Sequence, residues 1–253
     1  MYIFNITLEF DHNVFRKAVE QSVAEKGKGY VCVVDGNVLT MAQENQSYRE
    51  IVNNAYINTC DGSSIAAMCN RIYGTNYTAF TGPHLFSEYI EKKEYIQLLL
   101  GNTEKCFNQI KVKLKEKGKT SDHLSYMPVP FAGIDEFDFK SIGDQINNIN
   151  PDLIWVSLGA PKQEMFCARL LKYIDRGLLF GIGAAFNFYV GESNDPSFHI
   201  GALRFVWLDR LFREPKKQIK RVWTTIKVFP AMYFQEVKRK RDNCKKCNTT
   251  NKI

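Results

Sequence analysis

The chain has 253 residues, of which 45% are hydrophobic and 24% are charged, with a formal net charge of +7. These values are typical of a soluble globular protein with one large domain, or one domain and an appendage. No stretch approaches the roughly 20 apolar residues of a membrane-spanning helix, and the N-terminus lacks the features of a signal peptide. Seven scattered cysteines, an odd number, argue against a disulfide framework and favour the cytoplasm.

Positive charge is concentrated near the C-terminus. Residues 203–246 carry 14 Lys and Arg against 4 Asp and Glu, a net of +10, so the rest of the chain sums to −3. This asymmetry predicts a polyanionic neighbour, either nucleic acid or an anionic membrane surface. Interleaved aromatic residues favour an interfacial membrane helix pair over a solvated charged face: Phe205, Trp207, Phe212, Trp223, Phe229, Tyr233 and Phe234.

Short apolar strands alternate with helical patterns along the first 200 residues. In chain order, we expect a strand before a helix over 11–26, a strand over 30–34, helical spacing over 40–56, and a strand end at 57–60 before a helix. Helices around 84–93, over 103–117 and up to 148, and strands over 95–100, 153–156 and 177–183, complete the pattern. This alternation predicts an α/β fold with a mostly parallel, Rossmann-like sheet and helices on both faces.

Residues beyond 202 follow a different pattern. They form a basic amphipathic helical run that we expect to be interrupted at Pro215 and Pro230. The chain therefore divides into an α/β core (1–202), a C-terminal helical appendage (203–237) and a disordered tail (238–253).

Turns follow the predicted strand ends at Asp35, Asp61, Gly101, Gly159 and Gly183. Because open α/β sheets bind ligands outside the carboxyl ends of their strands, these turns predict the ligand site.

The segment 153–164 is the most informative of these turns. An apolar strand leads into Gly159-Ala160-Pro161, and Lys162-Gln163-Glu164 opens a helix. Unpaired amides at a helix start suit an anion such as a diphosphate, and Lys162 would add a positive charge. An ordinary strand–turn–helix corner explains the same pattern.

Asp61-Gly62 lies between a strand and a helix. Its carboxylate could act as a general base toward a hydroxyl nucleophile, or it could simply cap the helix. A metal-dependent mechanism is not supported: the four histidines lack zinc-like spacing, there is no DxD pair, and one C-x-x-C at 244–247 cannot complete a zinc site.

Together these segments resemble the bacterial WecG/TagA/CpsF glycosyltransferases, glycosyltransferase family twenty-six. The resemblance covers about residues 30–223. It rests on Thr59-Cys60-Asp61-Gly62, Thr81-Gly82, Leu99-Leu100-Gly101, Gly159-Ala160-Pro161-Lys162-Gln163-Glu164, Gly181-Ile182-Gly183-Ala184-Ala185-Phe186, Trp207-Leu208-Asp209-Arg210 and Glu214-Pro215.

The resemblance implies an inverting, metal-independent transferase without a cofactor. Its donor substrate would be a UDP-sugar of the N-acetylmannosamine type or its uronic acid. The acceptor would be a polyprenyl-diphosphate-linked saccharide, such as undecaprenyl-diphosphate N-acetylglucosamine. The enzyme would work peripherally at the inner face of the plasma membrane, on teichoic acid, capsule or exopolysaccharide.

The resemblance also implies roles for residues. Asp61 corresponds to the catalytic base. Substrate binding would involve Thr59, Gly62, Asp35, Asn37, Thr81, Gly101, Gly159, Pro161, Lys162, Gln163, Glu164, Gly183 and Asn187. The appendage would contact the lipid diphosphate through Arg210, Arg213, Lys217 and Arg221.

Three positions depart from the family pattern. Asp35 stands where the T-x-N-P motif has threonine, Asn187 replaces the usual aspartate, and Ser193-Asn194-Asp195-Pro196 replaces a basic stretch. An added acid and lost cations would repel an anionic sugar, so we expect a neutral hexose or N-acetylhexosamine donor.

Two other functions remain open at this stage: a nucleic-acid-binding α/β protein that uses the basic segment, and a catalytically silent nucleotide-sugar-binding protein. Because the C-terminal segment is interpreted as an interfacial membrane helix pair, we expect a membrane surface rather than nucleic acid as its partner. The oligomeric state is also open, since an apolar core face could pair protomers.

Overall fold

A computed structural model describes residues 1–192, 199–200, 203–204 and 215–250. Its ten strands are β1 (Tyr2–Ile3), β2 (Ile6–Thr7), β3 (Lys28–Val34), β4 (Ile57–Cys60), β5 (Gln97–Gly101), β6 (Leu124–Met127), β7 (Leu153–Ser157), β8 (Gly177–Gly181), β9 (His199–Ile200) and β10 (Leu203–Arg204).

Ten α-helices are described. They are α1 (His12–Ala24), α2 (Gly36–Glu44), α3 (Gln46–Asn53), α4 (Ser63–Tyr73), α5 (Gly82–Ile90), α6 (Glu104–Glu116), α7 (Phe139–Ile149), α8 (Lys162–Leu170), α9 (Ala185–Val190) and α10 (Pro215–Thr250).

Six strands form one sheet in the order β4-β3-β8-β7-β5-β6. Every neighbouring pair in it is parallel, with Val33 opposite Thr59 and Gly101 opposite Ser157 as examples of the register. Parallel pairing brings all six carboxyl ends to one edge, which we call the carboxyl edge. The α/β class predicted from the sequence is confirmed.

Helices cover both faces of the sheet, and its central strands are therefore buried on both sides. Along β7, Ile154 and Val156 face one hydrophobic core, whereas Leu153 and Trp155 face the other. The first core is completed by α2, α3, α4, α7, α8 and α10, which contributes the buried Met232, and the second by α1, α5, α6 and α9.

Two local predictions differ from the structure. The edge strand β6 was not predicted, because only Met127 of its four residues is fully buried and its hydrophobic pattern is weak. The turn predicted at 35–37 is instead the start of α2, with the Asp35 carboxylate accepting from the amides of Asn37 and Val38.

The C-terminal helix is longer and more continuous than the sequence predicts. Pro215 starts α10, Pro230 lies inside it, and the helix continues through Thr250. The interruption expected at Pro230 is therefore absent, and residues 238–250 of the segment predicted to be a disordered tail continue the helix. The division into core and appendage stays a prediction. Within the described residues, no helix combines the length and apolar character needed to cross a bilayer.

Contacts with the core explain why α10 continues. Glu236, only 4% exposed, accepts from the amide of Phe4 at 3.1 Å, from the Tyr73 hydroxyl and from Arg239. Beyond residue 238, Lys240 donates to the Ile72 carbonyl. These bonds stabilise a segment whose composition alone predicts disorder.

Gly143 lets α7 approach the segment after α8. A Cβ atom at this position would lie 2.5 Å from the carbonyl oxygen of Tyr173. Gly143→Ala should therefore lower the free energy of unfolding by about 1–3 kcal/mol, although alanine favours helix by about 1 kcal/mol. Chemical denaturation would measure the loss. The control is Asp144→Ala, an exposed position in the same helix; equal effects in both variants would refute the packing argument.

Candidate active site

The five predicted turns lie side by side at the carboxyl edge. Asp61 follows β4, Asp35 follows β3, Gly183 follows β8, Gly159 follows β7, and Gly101 ends β5. These five strands are consecutive in the sheet. The structure therefore brings together the turns that the sequence indicated one by one.

Asp61 precedes α4, but its carboxylate is bonded to the start of a different helix, α5. Its Oδ1 atom accepts from the backbone amide of Gly82, the first residue of α5, at 2.7 Å. The helix that follows Asp61, α4, has Gly62 as its N-cap and no side-chain cap. Asp61 is thus not the cap of α4. It is a half-buried carboxylate oriented at the carboxyl edge.

Gly82 is a residue whose contribution the sequence did not reveal. A Cβ atom here would lie 3.4 Å from Val33 and 3.6 Å from the carbonyl oxygen of Ile182. The start of α5 therefore fits closely against the ends of β3 and β8. Only the Thr81-Gly82 signature marked this position in the sequence.

The starts of α2 and α4 are adjacent. A Cβ atom on Gly62 would lie 3.7 Å from the backbone nitrogen of Gly36. Asp35 caps α2, with distances of 2.9 Å and 2.8 Å to the amides of Asn37 and Val38. The carboxylate that replaces the family threonine is thus anchored at this edge, and Asn37 lies half-buried in the first turn of α2.

The turn after β7 faces open space. Gly159 has φ +75°, which favours glycine, and an added Cβ atom would meet nothing within 4 Å. The Ala160–Pro161 peptide bond that follows is cis, and Pro161 is the N-cap of α8. Such a turn leaves room for a ligand beside the backbone.

Lys162 lies on the flank of this turn. Its ammonium donates to the carbonyl oxygen of Ala132 at 2.7 Å, and it lies over the rings of Phe131 and Phe137. The bond to Ala132 uses one of the three ammonium donors, so the contribution of Lys162 to an anion site at the helix start stays a prediction.

Gln163 and Glu164 lie beneath the surface. Their exposed fractions are 4% and 1%. Gln163 Oε1 accepts from the Gly159 amide at 3.1 Å, and its Nε2 donates to Glu164 Oε1 at 2.8 Å. The Tyr48 hydroxyl donates to Glu164 Oε2 at 3.0 Å. Burial raises the pKa of Glu164 to about 7.

Comparison with known proteins adds the decisive observation. The model of the glycosyl transferase WecG/TagA/CpsF family matches residues 1–243. The chain belongs to this family. It is therefore a glycosyltransferase, as the sequence signatures implied.

Curated relatives of the family match along most of their length. One from Staphylococcus aureus (strain MW2) is 21% identical over 92% of this chain and 91% of its own. Another from Bacillus spizizenii is 20% identical over 91% of this chain and 88% of its own. Both are named N-acetylglucosaminyldiphosphoundecaprenol N-acetyl-beta-D-mannosaminyltransferase.

Other residues implied by the family signature have structural partners. Thr59 is buried and donates to the carbonyl oxygen of Phe80, and Thr81 caps α5. Asn187 Oδ1 accepts from Asn102 Nδ2 at 3.0 Å, which ties α9 to the end of β5. Asn102 was not predicted; it follows Gly101 directly, and its partner is distant in sequence.

The side chains of the four predicted appendage residues lie outside the part of the chain that the structure describes. Arg210 and Arg213 lie outside the described residues, and Lys217 and Arg221 belong to α10 without described side chains. Further along α10, Phe229 lies against the carboxyl edge, 3.3 Å from where a Gly36 Cβ atom would be. Among the described residues no cluster of three His, Cys, Asp or Glu could hold a metal ion. Metal independence stays a prediction.

Proposed function

We propose that this family member transfers a neutral N-acetylhexosamine of the N-acetylmannosamine type, or a hexose, from a UDP-sugar to a polyprenyl-diphosphate-linked saccharide. The two relatives are named for N-acetylmannosaminyl transfer to an N-acetylglucosaminyldiphosphoundecaprenol acceptor, which supports this choice. The observation that carries it is the Asp61 carboxylate, bonded to the Gly82 amide at the carboxyl edge.

In the proposed mechanism the acceptor hydroxyl attacks the anomeric carbon directly. Asp61 removes the hydroxyl proton as the new C–O bond forms and the bond to the UDP oxygen breaks. One displacement inverts the anomeric centre. The Gly82 amide keeps the carboxylate oriented, and no metal ion takes part.

The donor diphosphate would lie beside the open turn at Gly159. Backbone amides, the C-terminal arginines and the Lys162 ammonium, which keeps its charge and two further donors beside its bond to Ala132, would offset the diphosphate charge. The arginines proposed for this role are Arg210, Arg213 and Arg221, with Lys217 beside them.

The acceptor lipid places the reaction at a membrane surface. On α10, Trp223, Ile226 and Phe234 are 60%, 60% and 69% exposed. Apolar side chains on a basic helix suit peripheral attachment to anionic lipid. We propose that the enzyme builds a cell-surface polysaccharide from the inner face of the plasma membrane.

An assay with defined substrates tests the function and the donor class together. Purified protein is incubated with single UDP-sugars and a lipid-diphosphate N-acetylglucosamine analogue, and products are identified by mass. Neutral donors should be used at least about tenfold better than a uronic acid, because the Asp35 carboxylate at the carboxyl edge repels a sugar carboxylate. Preferred use of the uronic acid would refute the donor class. Absence of transfer from every UDP-sugar would refute the proposed function.

A further inference from the structure

A continuous chain of hydrogen bonds runs behind the turn after β7. It starts at the Tyr48 hydroxyl on α3, passes through the Glu164 carboxylate and the Gln163 carboxamide, and ends at the Gly159 amide, with distances of 3.0, 2.8 and 3.1 Å. This series of hydrogen bonds links α3, a helix of the first core, to the turn at Gly159 that faces open space.

Glu164 lies too deep to touch a ligand. Only 1% of its surface is exposed, and each carboxylate oxygen already accepts a hydrogen bond, Oε2 from the Tyr48 hydroxyl and Oε1 from Gln163 Nε2. Its effect on a substrate must therefore pass through Gln163.

Gln163 lies against the neighbouring strand. A Cβ atom at Gly181 would be 3.2 Å from Gln163 Cγ, and one at Gly183 would be 3.5 Å from Gln163 Oε1. Close packing restricts where the carboxamide can lie, but it does not distinguish its oxygen from its nitrogen. Glu164 and the Gly159 amide make that distinction together, since a carboxylate accepts only from Nε2 and a backbone N–H donates only to Oε1.

We propose that Glu164 and Tyr48 are positioning residues that hold the Gln163 carboxamide in one orientation and so shape the turn at Gly159. The proposal rests on the proposed function for its kinetic consequence. Its structural content, the single orientation of Gln163, does not depend on which sugar is transferred.

The surroundings of Glu164 connect this orientation to pH. Four titratable groups interact electrostatically with it: Asp35 before α2, Tyr48 on α3, Cys32 on β3 and Cys167 on α8. Burial raises the pKa of Glu164 to about 7, and the Tyr48 hydrogen bond counters part of that rise. Protonation weakens a charge-assisted bond, so Gln163 is held most firmly above this pH.

The direct test is the side-chain amide resonance of Gln163 in protein labelled with 15N-glutamine, assigned by its loss in Gln163→Glu. In the unmodified chain this resonance should titrate with a midpoint near the Glu164 pKa of about 7. The midpoint should move to higher pH in Tyr48→Phe, because a bond that lowers the pKa is removed. In Glu164→Gln the Gln163 resonance should no longer change with pH in this range.

Kinetics supply the second readout. Glu164→Gln should lower kcat/KM for the donor by about 10- to 100-fold, the usual cost of a misplaced contact. Tyr48→Phe should retain more activity but shift the acidic limb of the pH profile upward. The matched control is Tyr89→Phe, which removes a buried hydroxyl that has no hydrogen-bond partner among the described residues.

Each outcome decides something. An unchanged Gln163 titration in Tyr48→Phe and Glu164→Gln would overturn the proposal even if the enzyme is active. A correct titration in a protein that transfers no sugar would uphold the orientation and refute the proposed function. If Glu164→Gln fails to fold, Tyr48→Phe alone tests the proposal, because the midpoint of the Gln163 titration should still move to higher pH.

Discussion

Replacement of Asp61 with asparagine should lower kcat for sugar transfer by about 10²- to 10⁴-fold, the range for loss of a general base. Asparagine keeps an oxygen that can accept from the Gly82 amide, which bonds Asp61 Oδ1 at 2.7 Å. The local backbone should therefore stay in place, and donor affinity should change little. Transfer rates and calorimetric binding of the UDP-sugar measure the two quantities separately.

Asp138→Asn is a suitable control for this substitution. Asp138 is an exposed cap of α7, accepting from the Ser141 amide at 3.0 Å, and asparagine caps a helix equally well. The control should keep full activity. Retained turnover in Asp61→Asn would remove Asp61 from the catalytic role, whereas a parallel loss of donor affinity would make it a binding residue.

Replacement of Glu236 with alanine should release α10 from the core. It would leave the Phe4 amide, the Tyr73 hydroxyl and Arg239 without their shared acceptor. The buried Phe4 amide would be left unsatisfied at about 1–3 kcal/mol, whereas Arg239 keeps its bond to the Tyr2 carbonyl. With the lost Tyr73 bond we expect a total loss of roughly 3 kcal/mol. In a chain of this size that corresponds to a fall in Tm of about 6–12 °C, measurable by thermal unfolding.

Asp242→Ala provides the comparison, because Asp242 is exposed on the same helix. Its Tm should stay within about 2 °C of the unmodified chain, as for most surface substitutions. Limited proteolysis should cleave α10 faster in Glu236→Ala. Equal Tm values and equal cleavage in both variants would show that α10 does not depend on Glu236.

The agreement between sequence and structure is best where burial is greatest. β7 and β8 are continuous apolar runs, because strands covered on both faces need apolar side chains at every position. At the edge of the sheet this requirement is relaxed. β6, with Leu-Ser-Tyr-Met, pairs on one side only and was missed for that reason.

The C-terminal helix shows the opposite limit. Pro230 and a lysine-rich end argue locally for an interruption and a disordered tail, yet α10 runs through both. Glu236 bonds to Phe4, which is 232 positions away. No window of neighbouring residues contains that interaction, and it outweighs the local preference.

The sequence by itself determined the α/β class and the turns that end its buried strands, because alternating apolar runs and turn residues act locally. Asp61 as the candidate base came from the resemblance of the Thr59-Cys60-Asp61-Gly62 signature to the family. Only the tertiary structure decided which groups meet at the site. The Gly82 amide donates to Asp61, the Lys162 ammonium donates to the Ala132 carbonyl, and the Tyr48 hydroxyl donates to Glu164 across 116 positions. Such contacts depend on the order of strands in the sheet, and that order is set by the packing of the whole core rather than by any local pattern.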